Sequence, residues 1–231
     1  HTRTFVAAAL ALAMCGFATQ ALAQGEPLGG QPEPGAKQSV SNLDEQVAYQ
    51  RAFEAVLWAM PASAIYRFRV GFHEMPGVTD NIIAAMSRPL TQTAEAITSN
   101  SSTPYIAATS DLRNGPVVLE VPANTDKGVI YGQVVDAWQI TIAGVGPAGQ
   151  DKGAGGKYLF LPPGYKGAVP EGYFPVYSTT YRILLAFRSI QLGGATLADA
   201  FAYSKSLKMY PLSQAANPKP GFVDATSYPL L

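Results

Sequence analysis

Gly128-Val-Ile-Tyr-Gly-Gln-Val-Val-Asp-Ala-Trp-Gln-Ile-Thr-Ile-Ala143 is the stretch whose reading decides the fold. It is rich in β-branched and aromatic residues, which suit a pleated, half-buried surface. Successive strand side chains point to opposite faces, so Ile130, Val134, Trp138, Ile140 and Ile142 fall on one side of a single long strand. Asp136 falls on that same apolar side, where a carboxylate is costly unless paired or hydrogen-bonded. Similar runs flank it: Pro116–Val121, Lys157–Leu161 and Tyr181–Gln191. Gly and Pro clusters separate them, with no helical pattern between. Closely spaced strands of this kind predict a β-sandwich over residues 99–194 rather than a parallel sheet.

Upstream, residues 42–98 read as a helical subdomain. Asn42 with Glu45 resembles a capping box, and Tyr49, Ala52, Phe53, Val56, Leu57 and Met60 share a helical face. Pro61 suits the first turn of a second helix, whose stripe continues through Ile65, Phe68, Phe72 and Met75. Thr79 or Asp80 would cap a third helix running to Met86, which Pro89 stops. Downstream, Thr196 and Asp199 start a further helix carrying Ala200, Tyr203, Leu207 and Tyr210 on one face, ended by Pro211. The fold class expected is therefore α+β. The tail to Leu231 shows turn chemistry and no clear element.

The first 23 residues have a basic start, an apolar run from Phe5 to Phe17 and Ala21-x-Ala23, the pattern of a signal peptide. Residues 24–41 read as a linker. Cleavage after Ala23 would give a periplasmic or secreted chain. That chain would lack Cys15 and any membrane span, and its one histidine would be His73.

Composition narrows function by exclusion. The 231 residues hold 16 Lys+Arg and 16 Asp+Glu, a net charge of zero, so the basic footprint of a nucleic-acid binder is absent. Charged residues are 14%, against about 25% in typical soluble domains. Two His and one Cys exclude a disulfide scaffold and most zinc sites. His73-Glu74 lacks the second His of a zinc protease, and there is no G-x-S-x-G elbow. Gly144-Val-Gly146-Pro-Ala-Gly149 matches a dinucleotide fingerprint but is followed by another loop instead of the helix that would face a pyrophosphate. No metal or cofactor is implied.

The candidate ligand-binding residues are Asp136, Trp138, Arg182, Arg188, Tyr105 and Tyr131. Arg182 and Arg188 share one face of their strand with Leu184, Ala186 and Ile190. An Asp136–arginine bridge within the core is the expected structural use of these charges, since a guanidinium meets a carboxylate bidentately. The alternative is a ligand-binding or catalytic carboxylate. Tyr105 and Tyr131 belong to a dense aromatic set in the β region. Catalytic residues are not identifiable from the sequence.

A set of segments occurs in order: Asn100-x-x-Thr103-x-Tyr105, Gly115-Pro-Val-Val-Leu-Glu-Val-Pro122, Tyr131-Gly-Gln-Val-Val-Asp136-Ala-Trp138, Gly153-Ala-Gly-Gly-Lys-Tyr-Leu-Phe-Leu-Pro-Pro-Gly-Tyr-Lys-Gly167, Tyr181-Arg-Ile with Arg188, and Tyr210-Pro-Leu212. Together they resemble the bacterial domain of unknown function 1254 family. The resemblance implies a helical N-terminal part, an immunoglobulin-like antiparallel sandwich, and a jelly-roll domain following in the same chain. Ser102 stands where the family often has Asp, and no Arg within Gly144–Asp151 matches the family's Arg after the Asp strand.

The expected role is a binding and assembly module packing with that missing C-terminal domain, with self-association as a further option. A hydrolase-like site completed by that domain and an envelope structural protein are the alternatives. On the assembly reading, an exposed apolar patch around Leu207 and Tyr210 is expected.

Overall fold

The structure is a computed structural model that describes residues 42–91 and 100–228. The expected signal peptide and linker lie outside the described residues. The chain divides into two units, residues 1–53 and 54–231.

Of the first unit, residues 42–53 are described, and they open helix α1 (Leu43–Glu74). Asn42 caps it: the Glu45 N–H donates to Asn42 Oδ1 at 2.8 Å. Leu43, Val47, Tyr49 and Phe53 are exposed.

Among its described residues, the second unit takes up α1 and adds ten strands and a second α-helix. Pro61 lies inside α1, which does not break there into two helices. A proline removes one backbone donor from the helix interior but leaves its own carbonyl available. Gln139 Nε2 donates to that carbonyl at 3.2 Å. The expected third helix is also absent: Ile82–Ala85 forms strand β1. The run Ile82-Ile-Ala-Ala85 pairs on both sides, and this pairing outweighs the helical capping signal at Thr79 and Asp80.

The remaining strands are β2 (Tyr105–Asp111), β3 (Val117–Val121), β4 (Gly128–Asp136), β5 (Thr141–Val145), β6 (Gly156–Leu161), β7 (Tyr173–Tyr177) and β8 (Arg182–Gln191). Helix α2 (Leu197–Ser204), β9 (Lys208–Pro211) and β10 (Gly221–Asp224) complete the unit. One sheet runs β10-β1-β2-β8-β4-β5 and the other β7-β6-β3-β9. The class is α+β, with pairing antiparallel except at β1–β10 and β6–β7.

Four further expectations are corrected here. Gly128–Ala143 is not one strand: β4 ends at Asp136, and β5 begins only at Thr141. The turn between them places Gln139 at φ 63°, so Trp138 and Ile140 leave the strand alternation. The last helix has its Thr196–Asp199 capping box but stops at Ser204. Lys208–Pro211 pairs with β3 instead, which buries Leu207, Met209 and Tyr210, so the expected exposed patch does not form there. The tail contributes β10, in parallel register with β1.

The core fills the space between the sheets, with Ile83, Ile106, Leu119, Ile130, Val134, Tyr158, Phe160, Ile183, Leu185 and Phe187 nearly or fully buried. In β8 the core face is therefore Ile183, Leu185, Phe187 and Ser189. Arg182, Leu184, Ala186 and Arg188 occupy the opposite, outer face. There Ile65 of α1 packs on Val135 and Leu184. No helix among the described residues is long and apolar enough to cross a membrane.

Candidate functional site

The outer face of the six-stranded sheet gathers most of the chemistry-bearing side chains. Register sets the arrangement: Tyr105 of β2 pairs with Arg188 of β8, which pairs with Tyr131 of β4. Directly opposed side chains on one sheet face stand about 5 Å apart at Cβ, so these three form one row. The Arg188 guanidinium lies 5.0 Å from the centre of the Tyr105 ring, a cation–π arrangement.

The Asn-x-x-Thr-x-Tyr segment explains how Tyr105 is held. The Asn100 N–H donates to the Tyr105 hydroxyl at 3.0 Å, and Asn100 Nδ2 donates to the Thr103 carbonyl at 3.2 Å. Asn100 Oδ1 accepts from the N–H of Ser102. The asparagine therefore folds the approach to β2 into a turn and fixes the phenol.

The next row in register is Ala107, Ala186 and Gln133. Ala186 and Gln133 are exposed, and so is Tyr131, at 49%. Two small alanines thus leave a shallow, open floor beside Arg188. The Oε1 atom of Gln133 accepts from the Thr141 hydroxyl at 2.8 Å.

A second polar group lies where α1 ends. Arg69 donates to Asp80 through Nε at 3.2 Å and Nη2 at 2.5 Å, a forked pair. The Thr109 hydroxyl donates to Asp80 Oδ1 at 3.0 Å. His73 Nε2 stands 3.0 Å from Thr109 Oγ1 and 3.5 Å from Asp80 Oδ1. Burial, then the positive charge of Arg69, holds the His73 imidazole below its ordinary value of 6.5, although Asp80 opposes this. One ring nitrogen faces both hydroxyl and carboxylate. A nucleophilic triad needs the base between them, one nitrogen for each, so this cluster does not have that geometry.

The other candidates are dispersed, and the core Asp136–arginine bridge is not formed. Asp136 is 1% exposed and serves the turn after β4. Its Oδ1 accepts from the N–H groups of Trp138 at 2.8 Å and Ile140 at 3.0 Å, and its Oδ2 accepts from the Thr179 hydroxyl at 2.9 Å. Arg182 instead reaches Asp111 at 3.7 Å. Asp111 also takes Arg113, whose hydrogen bonds, outweighing burial, hold its carboxyl below the usual range. Trp138 sits 4.6 Å from Trp58 of α1, ring centre to ring centre. Tyr105, Tyr131 and Arg188 are thus brought together; Asp136, Trp138 and Arg182 are not part of their row.

Arg69, Asp80 and Thr109 were not legible as site residues. The available signal was Thr109, whose hydroxyl breaks the apolar pattern of Tyr105–Asp111. No group of three or more potential metal-ligating His, Cys, Asp or Glu side chains occurs among the described residues.

Comparisons with known proteins follow the same outline. The family model described as a protein of unknown function (DUF1254) matches residues 81–211. Among solved structures, the crystal structure of the VPA0106 protein from Vibrio parahaemolyticus is similar in fold, with a TM-score of 0.55 at 18% sequence identity. The match covers 72% of this chain and 40% of that one, so the chain corresponds to less than half of the neighbour's length. No curated protein matches in sequence. With more than half of its length matched, the chain belongs to the DUF1254 family.

Proposed function

We propose that this DUF1254 chain is an exported binding and assembly module whose helix α1 packs against a C-terminal jelly-roll domain of the same protein. The observation that carries the reading is the apolar exposure of α1 within residues 54–74. Val56, Leu57, Trp58, Met60, Tyr66 and Phe68 are all exposed, Trp58 by 69%. Single exposed apolar residues are ordinary, but six large ones spread around one helical segment are more than a solvated helix carries, which supports their burial by a partner. The greater length of the Vibrio protein, of which this chain covers 40%, supports a further segment as the occupant. Export rests on the Phe5–Phe17 run and Ala21-x-Ala23.

Oxidative footprinting tests the packing. Trp58 and Met60 should be readily modified in residues 42–231 and strongly protected when the same chain carries its jelly-roll domain. Equal modification of both residues in the two forms would overturn the proposal. The hydrolase-like alternative has no geometric support in the His73 cluster, because Nε2 faces both neighbours.

A further inference from the structure

We propose that the Tyr105–Arg188–Tyr131 row is a recognition site for a small carboxylate carrying a flat apolar body, such as an aromatic monocarboxylate. The inference is independent of the packing of α1, because it concerns the exposed strand surface alone.

Four observations converge. First, Arg188 has no carboxylate within ion-pair distance among the described residues, while Arg69, Arg113 and Arg182 each have one. A half-buried guanidinium is partly dehydrated, and stacking on one ring returns only a part of what hydration supplied. An anion completes it, and a carboxylate matches the planar fork through two parallel N–H···O bonds.

Second, Tyr105 is pre-positioned. Its hydroxyl is held by the Asn100 N–H at 3.0 Å, and its ring holds the guanidinium from one side. Rotamer-rich arginine is thereby ordered before any ligand arrives, which lowers the entropic cost of binding.

Third, the opposite flank is Tyr131, nearly half exposed and directly across from Arg188. A tyrosine face that is open to water on a rigid strand offers a flat apolar group a surface on which to stack.

Fourth, the adjacent row is floored by Ala107 and Ala186 and edged by Gln133. The alanines leave room for the ligand body. Gln133 uses its oxygen on Thr141, so the half that it offers is the donor half, which suits an anion.

The experiment is a titration of the full chain with benzoate at constant ionic strength, followed by NMR shifts of the Tyr131 ring and the Arg188 side chain. Saturable shifts at millimolar benzoate are expected, with benzamide and acetate each at least tenfold weaker. Arg188→Gln should abolish the response and Tyr131→Leu should weaken it severalfold, while Arg113→Gln leaves it unchanged. Arg188→Lys keeps the charge without the fork and should also bind at least tenfold more weakly, with an unaltered thermal midpoint showing that the variant is folded. Equal affinity for benzamide would mean apolar adsorption and overturn the proposal, as would equal affinity for acetate or the absence of any saturable shift.

Discussion

Replacing Asp136 separates two accounts of a buried carboxylate. In the structure it organises the turn from β4 to β5: two backbone N–H groups and one hydroxyl point at it, and no arginine does. The backbone closes the same turn, with Asp136 N–H donating to the Ile140 carbonyl at 2.9 Å and Gln139 N–H to the Asp136 carbonyl at 3.1 Å. Asp136→Ala strips all three acceptor contacts. Hydrogen bonds to a charged group contribute roughly 1.5–3 kcal/mol each. The Ile140 end of the turn is exposed, so water replaces part of that loss, and a net destabilisation of about 3 kcal/mol is expected. Asp136→Asn keeps Oδ1 for both N–H groups and lets Nδ2 donate to the Thr179 hydroxyl, so it forfeits the charge, a loss of about 1 kcal/mol.

An ion pair would behave differently. Breaking a buried pair from either side costs about 3–5 kcal/mol, so Arg188→Gln or Arg182→Gln would then be as damaging as the aspartate change. Urea denaturation of the single variants and of Asp136→Asn/Arg188→Gln supplies the test. The double variant should be additive within about 0.5 kcal/mol. A coupling well above that value, or an asparagine variant as unstable as the alanine one, would refute the turn-centred account.

Other outcomes follow from particular contacts. His73 titrates lower in the folded protein than unfolded, so the unfolded chain binds the proton first on acidification. Its contribution is complete above about 6.5 and is lost as pH falls from there through the lower folded value; His73→Gln should flatten that stretch of a stability-against-pH curve. Glu120 lies in register between Lys157 and Lys208 and accepts from the Tyr210 hydroxyl. Burial pushes its carboxyl up, but these hydrogen bonds and charges outweigh it, so the stabilisation is lost as pH falls below the ordinary 4.5. Glu120→Gln should remove that acid-limb loss and lower the thermal midpoint at pH 7. At Gly146, φ is +88° and an added Cβ would lie 2.0 Å from the Ile130 carbonyl oxygen. Gly146→Ala should therefore lower the thermal midpoint far more than Gly164→Ala, whose Cβ meets nothing within 4 Å.

The strands were legible where a β-rich run is bounded closely by Gly and Pro clusters. Val117–Val121, Gly156–Leu161 and Arg182–Gln191 emerge within a residue of the sequence reading. Local readings failed where pairing with a distant segment decided the outcome. Ile82–Ala85 is a strand because Gly221–Asp224 and β2 flank it, and no local pattern announces a partner 139 residues away. Lys208–Pro211 leaves its helix for the same reason, captured by β3. The capping box at Thr196 was legible because it is built from neighbours alone. For the site, period-two alternation put Arg182 and Arg188 on one face correctly. It could not say which face is the core, because Leu184 and Ile190 are as apolar as Ile183 and Leu185. That ambiguity produced the Asp136 bridge. Asp136 points inward and both arginines point outward, so the sheet itself separates them.

The polar accounting of the second unit shows where recognition can reside. Among the described residues, two buried side-chain atoms lack a partner, and the half-buried Arg188 lacks a carboxylate. Oδ2 of Asp151 is one, in a side chain whose Oδ1 accepts from Tyr158 at 2.6 Å and the Gly146 N–H at 2.8 Å. Nη1 of Arg182 is another, beside the Asp111 contact. Both atoms are enclosed, and each belongs to a side chain already anchored by its other atoms. An enclosed orphan of this kind is a cost held by the packing around it, and a solute cannot reach it without displacing that packing. Arg188 is the third, and it differs in both respects. Its guanidinium stacks on the Tyr105 ring, no carboxylate lies within ion-pair distance among the described residues, and it lies beside exposed Tyr131, Gln133 and Ala186. An incompletely satisfied group confers binding only where a ligand can arrive. On that criterion the proposed carboxylate site belongs on the outer face of the six-stranded sheet and not at the turn built on Asp136.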